Sequence, residues 1–103
     1  YEVQIQDDRG KAVDPLRLGG VYGFIAPAVN AAGAAGEWQT MAVLLIGRRV
    51  TVAINGTEVI RDREIPGITG AALDSDEGSP GPLMLQGDHG PIEFRNIVLT
   101  PAR

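Results

Sequence analysis

His89 is the only histidine in this chain, and it lies beside Asp88 in a short stretch, Gln86-Gly87-Asp88-His89-Gly90-Pro91. An imidazole is the one ordinary side chain that changes charge near neutrality, so this residue is the first candidate for proton transfer. Arg95 and Asn96 follow in the run beyond Pro91. A structural explanation covers the same residues. Asp, His and Gly are common in turns, and Arg95 close to Glu93 could be a solvated charge pair contributing under about 1 kcal/mol.

The flanking residues indicate how such a turn would be held. In residues 82–100, PLMLQGDHGPIEFRNIVLT, Leu83 and Leu85 alternate with Met84 and Gln86. Beyond Pro91, Ile92, Phe94, Asn96 and Val98 alternate with Glu93, Arg95, Ile97 and Leu99. This two-residue period predicts two strands with the polar turn presented at a sheet rim. Residues 1–6 alternate in the same way, with Tyr1, Val3 and Ile5 on one face and Glu2, Gln4 and Gln6 on the other. Side chains on one strand face recur about every 7 Å, a spacing that suits sugar hydroxyls and solvent equally well. Asp7-Asp8-Arg9-Gly10 then reads as a turn, and residues 11–20 as a loop.

Further along, VYGFIAP (21–27) predicts a second strand, with Gly23 marking a bulge or a close backbone approach, and the small residues 30–36 predict a loop. EWQTMAVLLI (37–46) and VTVAI (50–54) should pair as a hairpin, with Trp38 opening a central strand as a core residue. Asn55-Gly56 is a strong hairpin turn signal, with residues 57–60 as the returning strand. Asn55-Gly56-Thr57 also fits a glycosylation acceptor, although a tight turn accounts for it without a glycan. Residues 61–81 predict a long loop. Its Asp74, Asp76 and Glu77 invite comparison with a calcium loop but lack the third spaced ligand and the distal glutamate of an EF-hand. Six or seven short strands and no helix predict an all-β fold, an antiparallel sandwich or part of one.

Composition narrows the function. Residues 1–103 are expected to form one small domain, and 44% apolar with 21% charged residues is the balance of a globular chain. A net charge of -4 with scattered basic residues argues against nucleic acid and anionic lipid as partners. No apolar run approaches the 18 or so residues of a membrane-spanning helix. The absence of cysteine removes disulfides, thiolate chemistry and a structural zinc site, and Ser75 and Ser79 are the only serines, both in the loose loop. A strand beginning at Tyr1, with no start methionine, reads as the interior of something longer.

Taken together, YEVQIQDD, VYGFIAP with Asn30, GEWQTMAV, VTVAINGTEV and PGPLMLQGDHGPIEFRNI resemble, in order and over essentially the whole chain, the 3-keto-disaccharide hydrolase domain family. The resemblance implies a concanavalin A-like jelly-roll sandwich, a bacterial protein that is extracellular, periplasmic or at the cell surface, and cleavage of glycosides whose glucose is oxidised at carbon 3. It places Glu2, Gln4 and Asp7 on the family's opening strand and Gln86, Asp88, His89, Arg95 and Asn96 on its closing motif. His89, Glu2 and Arg95 are then the catalytic candidates, with Gln4, Asp7, Gln86, Asp88 and Asn96 binding carbohydrate. No cofactor is required by this reading, and a divalent metal held by carboxylates and His89 is left open. Gln6 departs from the family pattern, standing where an apolar residue is expected. Family domains are nearly twice as long, so the chain is expected to form a partial sandwich lacking N-terminal strands, completed by a second copy or by a complementary chain. Two other expectations stand beside catalysis: a non-catalytic carbohydrate-binding module, and a structural self-assembling piece.

Overall fold

The computed structural model describes residues 1–70 and 72–101. Among them there is no helix, and the regular structure is an antiparallel meander of three strands, β1 (Met41–Ile46), β2 (Arg49–Ile54) and β3 (Thr57–Glu64), in the order β1-β2-β3. Such an open all-β sheet is consistent with part of a β-sandwich. Local sequence explains both turns. Asn55 and Gly56 have φ of 50° and 82°, the positive pair that a type I′ turn demands. At the other hairpin only Gly47 has positive φ, the signature of a type II′ turn, and Ile46 faces Arg49 across it. Asn55 also ties the turn down. Its Oδ1 accepts from the Thr40 amide at 2.9 Å while its Nδ2 donates to the Ala31 carbonyl at 3.0 Å and to Gln39 at 3.1 Å. An amide nitrogen engaged in this way agrees with a turn role for Asn55 in preference to a glycan role.

The core lies on one face of β2. Val50, Val52 and Ile54 alternate inward and are buried together with Val59, Ile60, Ile65, Val21 and Ile25. Two successive residues of β3 face inward because the strand is bulged: Val52 faces Ile60 and Ala53 faces Glu58, so Val59 is an extra residue against β2. A second register shift between Val50 and Val52 accommodates Asp62, whose φ is 44°. Residues 1–27 cover this face. Val3 bridges Val21, and the Gln4 amide donates to the Gly20 carbonyl at 2.9 Å. Gly19, at φ 83°, presses so closely on the core that a Cβ there would lie 2.9 Å from Ile54 Cγ1 and from Val59 Cγ2.

Several expected strands take other forms. Residues 1–6 and 21–27 contribute single bridges instead of ladders, and Val21 to Ile25 is a tight loop closed by reciprocal backbone bonds of 3.0 Å. No atom lies within 4 Å of a Cβ built on Gly23, so this glycine serves the turn and not a close approach. The strand expected over residues 37–46 begins only at Met41 and is an edge strand, which leaves Trp38 outside it and 51% exposed instead of in the core. β3 runs past residue 60 to Glu64, shortening the long loop. The alternating residues 82–100 form no strand and are exposed throughout, Val98 to 83%. Alternation specifies which face a strand would bury. A ladder also requires a neighbouring backbone, and among the described residues none pairs with this segment.

Candidate functional site

The residues of the closing motif form a short polar row. Gln86 Nε2 donates to Asp88 Oδ1 at 3.4 Å, and His89 Nε2 lies 3.5 Å from the same oxygen. The His89 and Asp88 side chains are 79% and 78% exposed, so their attraction acts through water and leaves the imidazole free to meet a solute. Asn96 adopts φ 54°, a left-handed conformation that asparagine tolerates better than most residues.

Arg95 is positioned differently. Its guanidinium carbon stands 3.9 Å from the centroid of the Trp38 ring, a cation–π contact that attaches the closing motif to the segment preceding β1. Trp38 is thus a support for Arg95, a role that its expected place in the core concealed.

The opening segment is organised around a residue that the pattern did not single out. Gln4 Nε2 donates to Gln6 Oε1 at 2.8 Å, and Gln6 Nε2 donates to Asp8 Oδ1 at 3.0 Å, so alternate residues form one chain of amides. It ends at Asp8, which is fully buried. The Asp8 carboxylate also accepts from the Leu18 amide at 2.7 Å and from Arg17 Nη1 at 3.3 Å, with Lys11 Nζ at 3.7 Å. Its carbonyl receives Asn30 Nδ2 at 2.6 Å. A buried carboxylate requires such partners, and here they stitch the loop carrying Gly19 to the core. The departure at Gln6 finds its explanation in this chain. An Asp-Asp pair before Arg-Gly looks like a surface turn, and only Asn30, already noted among the shared segments, hinted at an anchor.

Glu2, Gln4 and Asp7 share no hydrogen bond or ion pair with Gln86, Asp88, His89, Arg95 or Asn96 among the described residues. The opening residue instead contacts the acidic loop. Tyr1 Oη donates to Glu77 Oε1 at 2.6 Å, and Arg48 Nη2 lies 3.5 Å from that oxygen. Partial burial and then the Glu77 carboxylate push the Tyr1 phenol up from its ordinary value. In that loop, Asp76 Oδ1 accepts from the Gly78 and Ser79 amides, each at 3.2 Å, and Asp74 Oδ1 accepts from the Asp76 amide at 2.9 Å. Its interaction with Ser79 holds the Asp76 carboxyl low. No three His, Cys, Asp or Glu side chains among the described residues are grouped so as to hold a metal ion.

On the outer face of the sheet, Leu44, Ile46, Arg49, Thr51 and Asp62 line a shallow hollow of about 170 Å³. Arg49 Nε donates to Asp62 Oδ1 and Nη2 to the Asp62 carbonyl, both at 2.7 Å. That hydrogen bond is the main reason the Asp62 carboxyl lies below its ordinary range and the Arg49 guanidinium above its own. Arg49 looked like part of a turn in the sequence, and Asp62 like part of a loop.

Comparison with curated proteins and with solved structures found no match. A family model does match, covering residues 1–100, and with the all-β sheet, the polar row at Gln86, Asp88 and His89 and the Arg95–Trp38 contact it supports one conclusion: the chain belongs to the family described as the 3-keto-alpha-glucoside-1,2-lyase-like domain.

Proposed function

We propose that this chain is a carbohydrate-active domain acting on glycosides whose glucose carries a ketone at carbon 3, and that it breaks the glycosidic bond by elimination across carbons 1 and 2. The family match over residues 1–100 is the observation that carries the proposal. The ketone acidifies the proton on carbon 2. A base removes that proton, the enolate electrons form the carbon 1–carbon 2 double bond, and the bond from carbon 1 to the leaving oxygen breaks as that oxygen takes up a proton. Water then adds across the double bond to give the free 3-keto sugar.

This chemistry needs a base at carbon 2, a positive or hydrogen-bonding group at the enolate oxygen and an acid at the leaving oxygen. The exposed His89, beside Asp88, is the first candidate for proton transfer, and Glu2 is the second. Arg95, stacked on Trp38, is suited to the enolate, with Gln86 as the alternative donor. Gln4, Asp7, Asp88 and Asn96 supply hydrogen bonds to sugar hydroxyls. The proposed setting is extracellular, periplasmic or at the cell surface. His89→Ala is expected to lower turnover of a 3-keto-glucoside by roughly 10²–10⁴-fold while leaving the fold intact. An unchanged rate removes His89 from the reaction.

One observation favours a second reading, a non-catalytic carbohydrate-binding module: no hydrogen bond or ion pair joins Glu2 to His89, and the imidazole is open to water. Saturable binding of a 3-keto-glucoside with no release of its aglycone selects that reading.

A further inference from the structure

β1 has one partner. In an antiparallel pair closed by a two-residue turn, Ile46 and Arg49 exchange bonds across the turn, so Leu44 and Ala42 also direct their amides toward β2. The amides and carbonyls of Val43 and Leu45 then point to the free edge. Beside β1 lies an apolar groove of about 420 Å³ whose lining includes Val43, Leu44 and Leu45 together with Pro82, Leu83 and Leu99.

The two edges of the sheet differ in how they are guarded. β3 carries Glu58, Arg61, Asp62, Arg63 and Glu64 and is bulged twice, features that discourage another strand from pairing. β1, MAVLLI, has no charge, no proline and an unbroken register with β2. The exposed area points the same way. A folded monomer of 10.9 kDa exposes roughly 5,600 Å². This chain exposes 7354 Å², and its most exposed large side chains include Leu83, Val98 and Leu99. The excess of roughly 1,800 Å² is what one partner contributes to an obligate dimer interface.

We propose that the free edge of β1 is the interface between two copies of this chain, paired antiparallel about a twofold axis so that two three-stranded sheets become one six-stranded sheet. The groove receives the partner's β1, and Leu83 and Leu99 pack against its side chains. A twofold arrangement suits a short uncharged strand because each copy offers the same edge to the other.

Sedimentation velocity over about two decades of concentration tests the proposal, with a dimer expected to persist on dilution. Val43→Pro removes one free-edge amide and no β1–β2 bond, and is expected to weaken the dimer at least tenfold while β2 and β3 keep their circular dichroism. Because the chain has no cysteine, single spin labels at Leu44→Cys or Glu58→Cys report the geometry independently of that variant. Label pairs at position 44 should be close, and those at 58 further apart, about five strand spacings or roughly 24 Å between backbones. A monomer at every concentration, a Val43→Pro protein that dimerises like the parent, or a dimer with the 58 labels closer would each overturn it.

Discussion

Arg49 holds Asp62 at two points, its Nε on the carboxylate and its Nη2 on the main-chain carbonyl, both at 2.7 Å, while Thr51 Oγ1 accepts the Asp62 amide at 3.0 Å. Side chains of β2 therefore replace the ladder bonds that the β3 bulge removes. Asp62 can remain at φ 44° with its backbone groups satisfied.

This arrangement predicts a pH dependence. The Asp62 carboxyl is held low chiefly by the hydrogen bond from Arg49, so the unfolded state binds its proton more readily than the folded state. The stabilisation is present above the ordinary carboxylate pKa of about 3.9 and is lost as pH falls through the lower folded value. Arg49→Gln should move the Asp62 titration back toward that ordinary value, as followed by carboxyl NMR shifts. It should also flatten the acid limb of stability slightly, since the pair is exposed.

Gly19 predicts a packing defect. Gly19→Ala combines a strained φ with a Cβ 2.9 Å from Ile54 and Val59, and should destabilise the chain by about 1–3 kcal/mol. Gly10→Ala has a similar φ, 77°, and open space, so it should cost only about 1 kcal/mol. Equal denaturant midpoints for the two variants would show that the contact with the core does not matter.

Asp8 predicts a local failure with a global consequence. Asp8→Ala leaves the Leu18 amide and Gln6 Nε2 without their acceptor and leaves Arg17 only its pair with Asp14, and should cost about 2–3 kcal/mol in urea denaturation, discounted because Arg17 and Lys11 are partly solvated. Protease cleavage should rise first within residues 9–20. Asp8→Asn can still accept from the Leu18 amide and should retain most of the protection.

Short-range chemistry made much of this protein legible from its letters. Positive φ at Asn55 and Gly56 is a preference of those two residue types, and the alternation of Val50, Val52 and Ile54 follows from side-chain hydrophobicity, so the β2–β3 hairpin and its buried face were readable without a fold. The membership of the family was readable too. Tertiary structure alone decided which alternating segments acquired a partner, because a ladder bond needs a second backbone whose position no local pattern encodes. It decided that Asp8 and not Asp7 is buried, that Trp38 carries Arg95, and that Val59 and Ile60 both turn inward. Each of these depends on distances between residues far apart in the chain, and such distances are set by the closure of the whole core.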